Sequence, residues 1–449
     1  MFAYADALNY LYGFINWEAQ RHMRYDSDAM AFERPLKVLA ALEHPQTRYP
    51  VIHLTGTKGK GSVAAMCASI CQAAGLRTGL FSSPHLQDFR ERFRVNNELI
   101  GEEQLAELIS RMKPVLDSVE DLTWFEAITA LAFQYFADEQ VDVAVIEVGL
   151  GGRLDATNVV NPLVTVISSI SYDHMTLLGN SLASIAREKA GIIKPGVPVV
   201  SAPQAPEALE VLMEVAAERE APLTLVGHDW LYTAGHWTWS RQYFTAGRAE
   251  EVPQAYYTAL VGEHQALNAT VALAALDVAA ARAGWAIDEA SVQTGLQHVD
   301  WPGRLEVVER TPLLILDVAH NGASAFRLCE ALTDIFPRRP LALIFGVYAD
   351  KDVAAILDAL LPITDYLITT QAVNPRAMAS DQIAQVARDL GFMKPIEVVP
   401  QTDEALRRAE ELVGSGGLIC ATGSLSVVGE IRTLCRLPVG HVIGSGFRD

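Results

Sequence analysis

The stretch Val51-Ile-His-Leu-Thr-Gly-Thr-Lys-Gly-Lys-Gly-Ser62 constrains the fold more than any other part of the chain. An apolar run enters a glycine-rich turn and then a helical pattern, the arrangement that brings phosphate to a helix N-terminus. Glycines let the N–H groups of Gly56, Thr57, Gly59 and Gly61 approach an oxyanion, Lys60 adds a full positive charge, and Ser62 places a hydroxyl at the helix start. The commoner phosphate loop reads G-x-x-x-x-G-K-[ST]. Here only two residues separate Gly56 from Gly59, and Gly61 stands between Lys60 and Ser62, so this is a shortened variant. A glycine-rich strand-to-helix turn that binds nothing is the competing reading.

Short β-rich runs at Val51–Leu54, Val141–Val148, Val164–Ile170 and Val197–Ser201 alternate with helical patterns such as Val63–Ala74. Near-continuous apolar strands between helices predict a parallel sheet covered on both faces. From Leu223 to Leu260, Trp237-Thr-Trp239 and Tyr256-Tyr257 sit among turn residues and predict a small antiparallel excursion. A helix is expected over Asn268–Ala283. Trp301-Pro-Gly-Arg304 reads as a boundary, after which strands are expected at Leu313–Leu316, Leu341–Val347, Tyr366–Thr370, Ile396–Val399 and Leu418–Ala421. A chain of 449 residues exceeds one ordinary core, and the pattern divides it into units 1–302 and 303–449.

The formal net charge of −19 opposes attraction to nucleic acid or anionic membranes, so neither is an expected partner and an anionic substrate must meet a local cluster of cations. Five cysteines, at 67, 71, 329, 420 and 435, form no C-x-x-C pair, which argues against a disulfide framework or zinc site and for a reducing, cytoplasmic setting. Cys67 and Cys71 read as small core residues of a helix. The N-terminus lacks a signal-peptide pattern, and no unbroken run of 18 apolar residues occurs.

Polar clusters fall where strands end, which is where open α/β sheets bind ligands. Glu147-Val-Gly-Leu-Gly-Gly-Arg-Leu-Asp155 follows one strand, with Arg153 and Asp155 offering opposite charges; a tight turn with a surface ion pair is the alternative. Asp173-His174 follows the next strand, and Ser82-Ser83-Pro84-His85 closes the strand after the phosphate-loop helix. Arg90, Arg92 and Arg94 would share one face of an extended segment, either as an anion site or as a charged edge. Lys189 reads by default as a solvated helix lysine. Asp317-Val-Ala-His320-Asn321 and the group Gly346, Asp350, Lys351 and Asp352 end strands of the second unit, which suggests a cleft shared by both units.

TGTKGKGS, SSPHL, WFEAITALAF, EVGLGGRLDATN, DHMTLLG, EKAGIIKPG, GEHQALNA, PGRLE and LDVAHN occur in that order. Together they resemble the folylpolyglutamate synthase and dihydrofolate synthase family of the Mur ligase superfamily. The resemblance implies a Mur-ligase-like α/β fold: a parallel-sheet phosphate-loop ATPase domain with a small antiparallel excursion, then a smaller α/β C-terminal domain. It implies an ATP- and Mg²⁺-dependent ligase, a cytoplasmic monomer, that joins L-glutamate to a folate γ-carboxylate through an acyl phosphate. Dihydrofolate synthase activity, which starts from dihydropteroate, stays open. The rivals are another Mur-type amide ligase acting on a peptidoglycan precursor or other acyl acid, and a nucleotide-binding protein without chemistry.

By motif, the resemblance assigns Gly56, Thr57, Lys58, Gly59, Lys60, Gly61, Ser62, Asn268, Arg304 and Asp317 to ATP, and Ser83, Glu147, His174 and Lys189 to magnesium. Lys189 matches a lysine that the family carbamylates. Phe125, Glu126, Leu154, Asp155 and Ala156 match the pterin side, and His320 and Ser424 the glutamate side. Lys60, Lys189 and His320 are the expected catalytic groups. Lys58 stands where many relatives have asparagine, Val318 replaces the glycine of D-G-A-H-N, and the stretch between Tyr10 and Pro35 departs from the family pattern.

Overall fold

The computed structural model describes residues 2–16, 32–337 and 340–442, so most of the Tyr10 to Pro35 stretch lies outside the described residues. Its largest sheet has eight strands: β1 (Val51–Thr55), β2 (Thr78–Phe81), β3 (Phe93–Val95), β4 (Glu98–Leu99), β5 (Val143–Glu147), β6 (Val164–Ile167), β7 (Val199–Ser201) and β8 (Leu223–Leu225). They run in the order β4-β3-β2-β5-β1-β6-β7-β8, parallel except for the β3–β4 ribbon at one edge. All five residues of β1 and of β5 are buried, as strands covered on both faces require. His53 and Thr55 are the polar exceptions in β1; the Thr55 hydroxyl donates to the Gly151 carbonyl at 2.7 Å, while His53 Nε2 meets the Thr157 hydroxyl at 2.9 Å and burial drives the His53 pKa down to about 3.

The antiparallel excursion is β9 (Trp230–Trp237), β10 (Gln242–Arg248) and β11 (Gln254–Thr258), stacked β11-β10-β9. It begins later than expected, because Leu223–Leu225 pairs in parallel with β7 and belongs to the main sheet. The helix expected from Asn268 starts earlier, at Glu263, and ends at Ala283. By length and hydropathy it could cross a membrane, but 61% of its apolar window is buried in this fold, against the phosphate-loop helix Lys60–Ala73 and the small sheet.

The second unit is a six-stranded sheet of β12 (Glu306–Val308), β13 (Leu313–Leu316), β14 (Leu341–Phe345), β15 (Tyr366–Thr369), β16 (Ile396–Val398) and β17 (Leu418–Thr422), in the order β12-β13-β17-β14-β15-β16. Only β12 is antiparallel, and it has no counterpart among the expected strands. Its three residues, Glu306-Val-Val308, are too few to carry a period.

Arg90, Arg92 and Arg94 do not share an extended face. Asp88 caps a 3₁₀ turn, Phe89–Arg92, with a capping box closed by Glu91, so only Arg94 lies in a strand. Arg90 pairs with Asp88 at 2.8 Å, Arg92 lies over the Trp124 ring at 4.8 Å, and Arg94 reaches the Gly440 carbonyl at 2.9 Å. All three arginines are therefore engaged within the fold.

Candidate active site

Adjacent strands lie about 5 Å apart, so the loops that leave the carboxyl ends of β5, β1 and β6 are neighbours. After β1 the chain turns through Gly56 and Gly59, both at positive φ (147° and 85°), into the helix Lys60–Ala73. A Cβ on Gly59 would sit 2.3 Å from Asn268 Oδ1, so glycine is needed there twice, for conformation and for space. This contact puts Asn268, from another helix, against the loop, where Gln265 fixes its amide at 2.9 Å.

The N–H groups of Thr57 and Lys58 both donate to the Ser169 carbonyl, at 2.9 and 3.0 Å. Thr57 N–H is therefore not offered to an oxyanion as expected. The amides of Gly59 and the first helical turn, Lys60 to Ser62, by contrast have no partner within the helix. Lys60 Nζ and Lys189 Nζ both donate to the Gly56 carbonyl, at 3.2 and 2.8 Å. A cavity of about 40 Å³ is bounded there by Gly56, Lys60, Gly149, Asp173, His174 and Lys189. Lys189 is buried, contrary to the solvated default. Burial first, then Lys60, lowers its pKa to about 7.

Glu147, at the end of β5, is buried and accepts the Ser83 N–H at 3.3 Å. Burial raises its carboxyl pKa, while Lys60, Ser83, Arg304 and Arg92 oppose that rise. His174 caps a short helix and bounds the same cavity as Lys60; its side chain keeps 42% of its exposure, and partial desolvation lowers its pKa to about 4, with Lys351, Lys60 and Lys189 adding to the effect and Asp173 opposing it. No three of His, Cys, Asp and Glu converge among the described residues. A serine joined through its backbone N–H to a single carboxylate suits magnesium, which takes few protein oxygens and fills its shell with water and substrate phosphates.

Arg153 and Asp155 do not face each other as a pair. Arg153 binds Glu188 at 2.9 Å, while the Asp155 carboxylate accepts the N–H groups of Gly149, Leu150 and Thr157 at 2.9 to 3.1 Å, as well as the Thr157 hydroxyl. It thus ties together the glycine turn that carries Gly149. Phe125 packs on that turn, where a Cβ at Gly149 would come within 2.5 Å of its ring. Leu154 and Ala156 flank Asp155. Glu126 closes a capping box with Thr123 and takes a bidentate pair from Arg34 at 2.9 and 3.0 Å. Arg34 was not foreseen. Nothing in the sequence says what would pair with Glu126.

From the second unit, Asp317 follows β13 and accepts the N–H groups of Leu305 and Ala319 at 2.9 and 2.8 Å. Burial raises its carboxyl pKa, and Arg304 opposes that; Arg304 also feels Glu147, across from the other sheet. His320 Nδ1 lies 2.9 Å from the Val318 carbonyl, which can only accept, so Nδ1 carries the proton and Nε2 is an acceptor. Burial first, then Lys58 and Lys351, lowers its pKa to about 3. Ser424 is buried and caps the helix Leu425–Leu434 through Val427 N–H at 3.3 Å; no hydrogen bond joins it to His320. Lys351 crosses between the units to Asp173 at 3.4 Å and, with Lys58 and His174, holds that carboxyl below its usual range against the effect of burial.

Residues 54–276 match the Mur ligase middle domain, and residues 303–425 match the Mur ligase glutamate ligase domain. The dihydrofolate synthase/folylpolyglutamate synthase of Bacillus subtilis is 33% identical over 436 residues, covering 96% of this chain and 98% of that one. The chain belongs to the folylpolyglutamate synthase family of Mur ligases. A Mycobacterium tuberculosis folylpolyglutamate synthase, solved with ADP and AMPPCP, is 34% identical with a TM-score of 0.84, covering 91% of this chain and 96% of that chain. A folylpolyglutamate synthase solved with AMPPCP and folate is 31% identical with a TM-score of 0.80, covering 97% and 100%. A folylpolyglutamate synthase fold therefore surrounds the loop, cavity and facing second sheet described above.

Proposed function

We propose that this chain is an ATP-dependent ligase that adds L-glutamate to the γ-carboxylate of a tetrahydrofolate, releasing ADP and phosphate. The observation that carries this reading is the meeting of a lysine-bearing phosphate loop with strand-end groups of a glutamate-ligase domain, joined by Lys351 and Asp173. We read residues 1–302 as the ATP- and folate-binding unit and 303–449 as the unit that takes glutamate.

A carboxylate is a poor electrophile, and ATP converts it to an acyl phosphate. Lys60 and the amides of the loop helix meet charge on the transferring γ-phosphoryl group, a reaction that depends on positioning and electrostatics. Magnesium, held by Ser83, Glu147, His174 and phosphate oxygens, would supply charge neutralisation there. Arg304 and Asp317 reach the nucleotide from the second unit, with Asn268 on the base side, and Phe125, Glu126, Leu154, Asp155 and Ala156 line the pterin side. The glutamate amine attacks the acyl carbon, phosphate leaves, and the neutral His320, with Ser424 nearby, orients the amine through its Nε2 lone pair.

Lys189 is assigned to carbamylation. Its amine must be neutral to add to CO₂, and burial beside Lys60 favours that form. The ammonium first loses one proton, and addition then forms an N–C bond and releases a second, so that a cation becomes an anion. The enzyme is read as a cytoplasmic monomer acting on free small molecules, without nucleic acid or membrane partners. A second reading, ligation of glutamate to dihydropteroate, is favoured by the double activity named for the Bacillus subtilis relative. Mass spectrometry of products from tetrahydrofolate, dihydropteroate and a peptidoglycan precursor tests these readings. A glutamyl adduct of the folate is expected, and an adduct only of the peptidoglycan precursor would replace this reading with the rival ligase.

A further inference from the structure

Lys58 is the phosphate-loop residue whose side chain the chemistry above does not use. Its N–H is committed to Ser169, and its ammonium is buried without a hydrogen-bond partner among the described residues. An unpaired buried ammonium is costly, so a fold that keeps one at the edge of an active site has a use for it there. The two lysines of the loop face different spaces. Lys60 bounds the cavity beside Lys189 and His174, whereas Lys58 is not part of that lining.

The charges around Lys58 are those of Asp173, Lys351, Lys60 and Arg304, and Lys58 is the strongest charge acting on His320. Lys351 and His320 belong to loops after β14 and β13, so the Lys58 ammonium lies within electrostatic reach of the strand ends of the second sheet. Asp173, the carboxylate in this group, is already taken by Lys351. A local excess of cations in a chain of net charge −19 favours an anion bound from outside. Because ATP phosphates are served by Lys60 and the helix amides on the other side of the loop, the anion that fits here is the one arriving with the second unit.

We propose that Lys58, with Lys351 across the gap between the two sheets, binds a carboxylate of the incoming amino acid and so presents its amine to the His320 lone pair and the activated folate carboxyl. This rests on the ligase reading above. It makes Lys58 a specificity residue for the amino acid, although its loop belongs to the nucleotide. Asparagine at this position would offer an amide without the charge.

Steady-state kinetics of the full-length wild type, Lys58→Met and Lys58→Asn test this, with glutamate, ATP and tetrahydrofolate varied in turn. Loss of one charge-assisted hydrogen bond should raise KM for glutamate by about tenfold or more. KM for ATP and folate, and AMPPCP affinity, should change less than about twofold. L-Glutamine and the α-amide of glutamate distinguish the two carboxylates: the variants should lose the wild-type preference against one of these analogues, and that analogue marks the carboxylate held. An unchanged KM for glutamate, or an equal loss of AMPPCP affinity, overturns the proposal. A melting temperature measured for each variant separates misfolding from lost binding, and Lys58→Arg, which keeps the charge, should retain most of the glutamate affinity. A wild type that releases no ADP in response to glutamate would instead remove the ligase reading itself.

Discussion

Lys60 and Lys189, far apart in sequence, donate to one backbone carbonyl, that of Gly56, at 3.2 and 2.8 Å. Two ammonium groups on a single acceptor repel each other, and the one with less access to water yields its proton more readily. That difference supports the proposed division of roles, with Lys60 as the phosphate cation and Lys189 as the amine that can become neutral.

Lys60→Ala should lower turnover by about two to three orders of magnitude, the scale seen when one donor to a developing charge is removed. The melting temperature should hardly move, since the ammonium is only part-buried and its hydrogen bond is to a loop carbonyl. Near-wild-type turnover in this variant would remove the phosphate role.

For Lys189, folding lowers the amine pKa from an ordinary 10.5 to about 7. Between about pH 7 and 10.5 the unfolded chain therefore binds the extra proton, and stability rises with pH across that window. In CO₂-free buffer, Lys189→Met should melt above wild type by most at or below pH 7, and the difference should shrink towards pH 10.5. A flat difference contradicts the burial argument. In crystals grown with ATP and bicarbonate, density for a carbamate is expected, and short carboxylic acids should partly restore a Lys189→Ala enzyme; a bare amine in that map would return Lys189 to a purely electrostatic role.

Glu147→Gln should raise the magnesium concentration needed for half-maximal rate severalfold, because an amide oxygen is a poorer ligand than a carboxylate. An unchanged magnesium titration would make Glu147 only the hydrogen-bond partner that fixes Ser83.

Arg304 and Asp317 are expected to separate under substitution. Arg304 makes no hydrogen bond among the described residues, only charge contacts with Asp317 and Glu147, so Arg304→Ala should lower turnover by about tenfold or more with little thermal change. Asp317→Ala leaves the Leu305 and Ala319 amides without their acceptor, at about 1–3 kcal/mol for each buried group, and should lower the melting temperature clearly. Differential scanning calorimetry alongside turnover checks both; equal thermal losses would contradict the division.

The phosphate loop, both sheets and most strand positions were legible because apolar runs and glycine turns are local signals, as at β1 and the loop after it. What was not legible depended on partners distant in sequence. Lys189 has the sequence context of a solvated helix lysine, and only the fold places its amine on Gly56. Asp155 looked like half of a pair with Arg153, yet it folds back on its own turn because three N–H groups converge there. The arginines near Phe89 followed a strand alternation that the Asp88 and Glu91 capping box breaks. Lys58 reads in the sequence as one more residue of the glycine-rich turn, and the burial of its ammonium without a partner among the described residues is visible only in three dimensions.

The central claim is that the loop, the folate side and the facing second unit form one ligase. ADP release by the full chain, measured with ATP and magnesium while tetrahydrofolate and L-glutamate are omitted in turn, tests it most directly. The account predicts release only when both are present, with one ADP formed for each glutamyl residue added. Release that proceeds at the same rate without folate or without glutamate would contradict it.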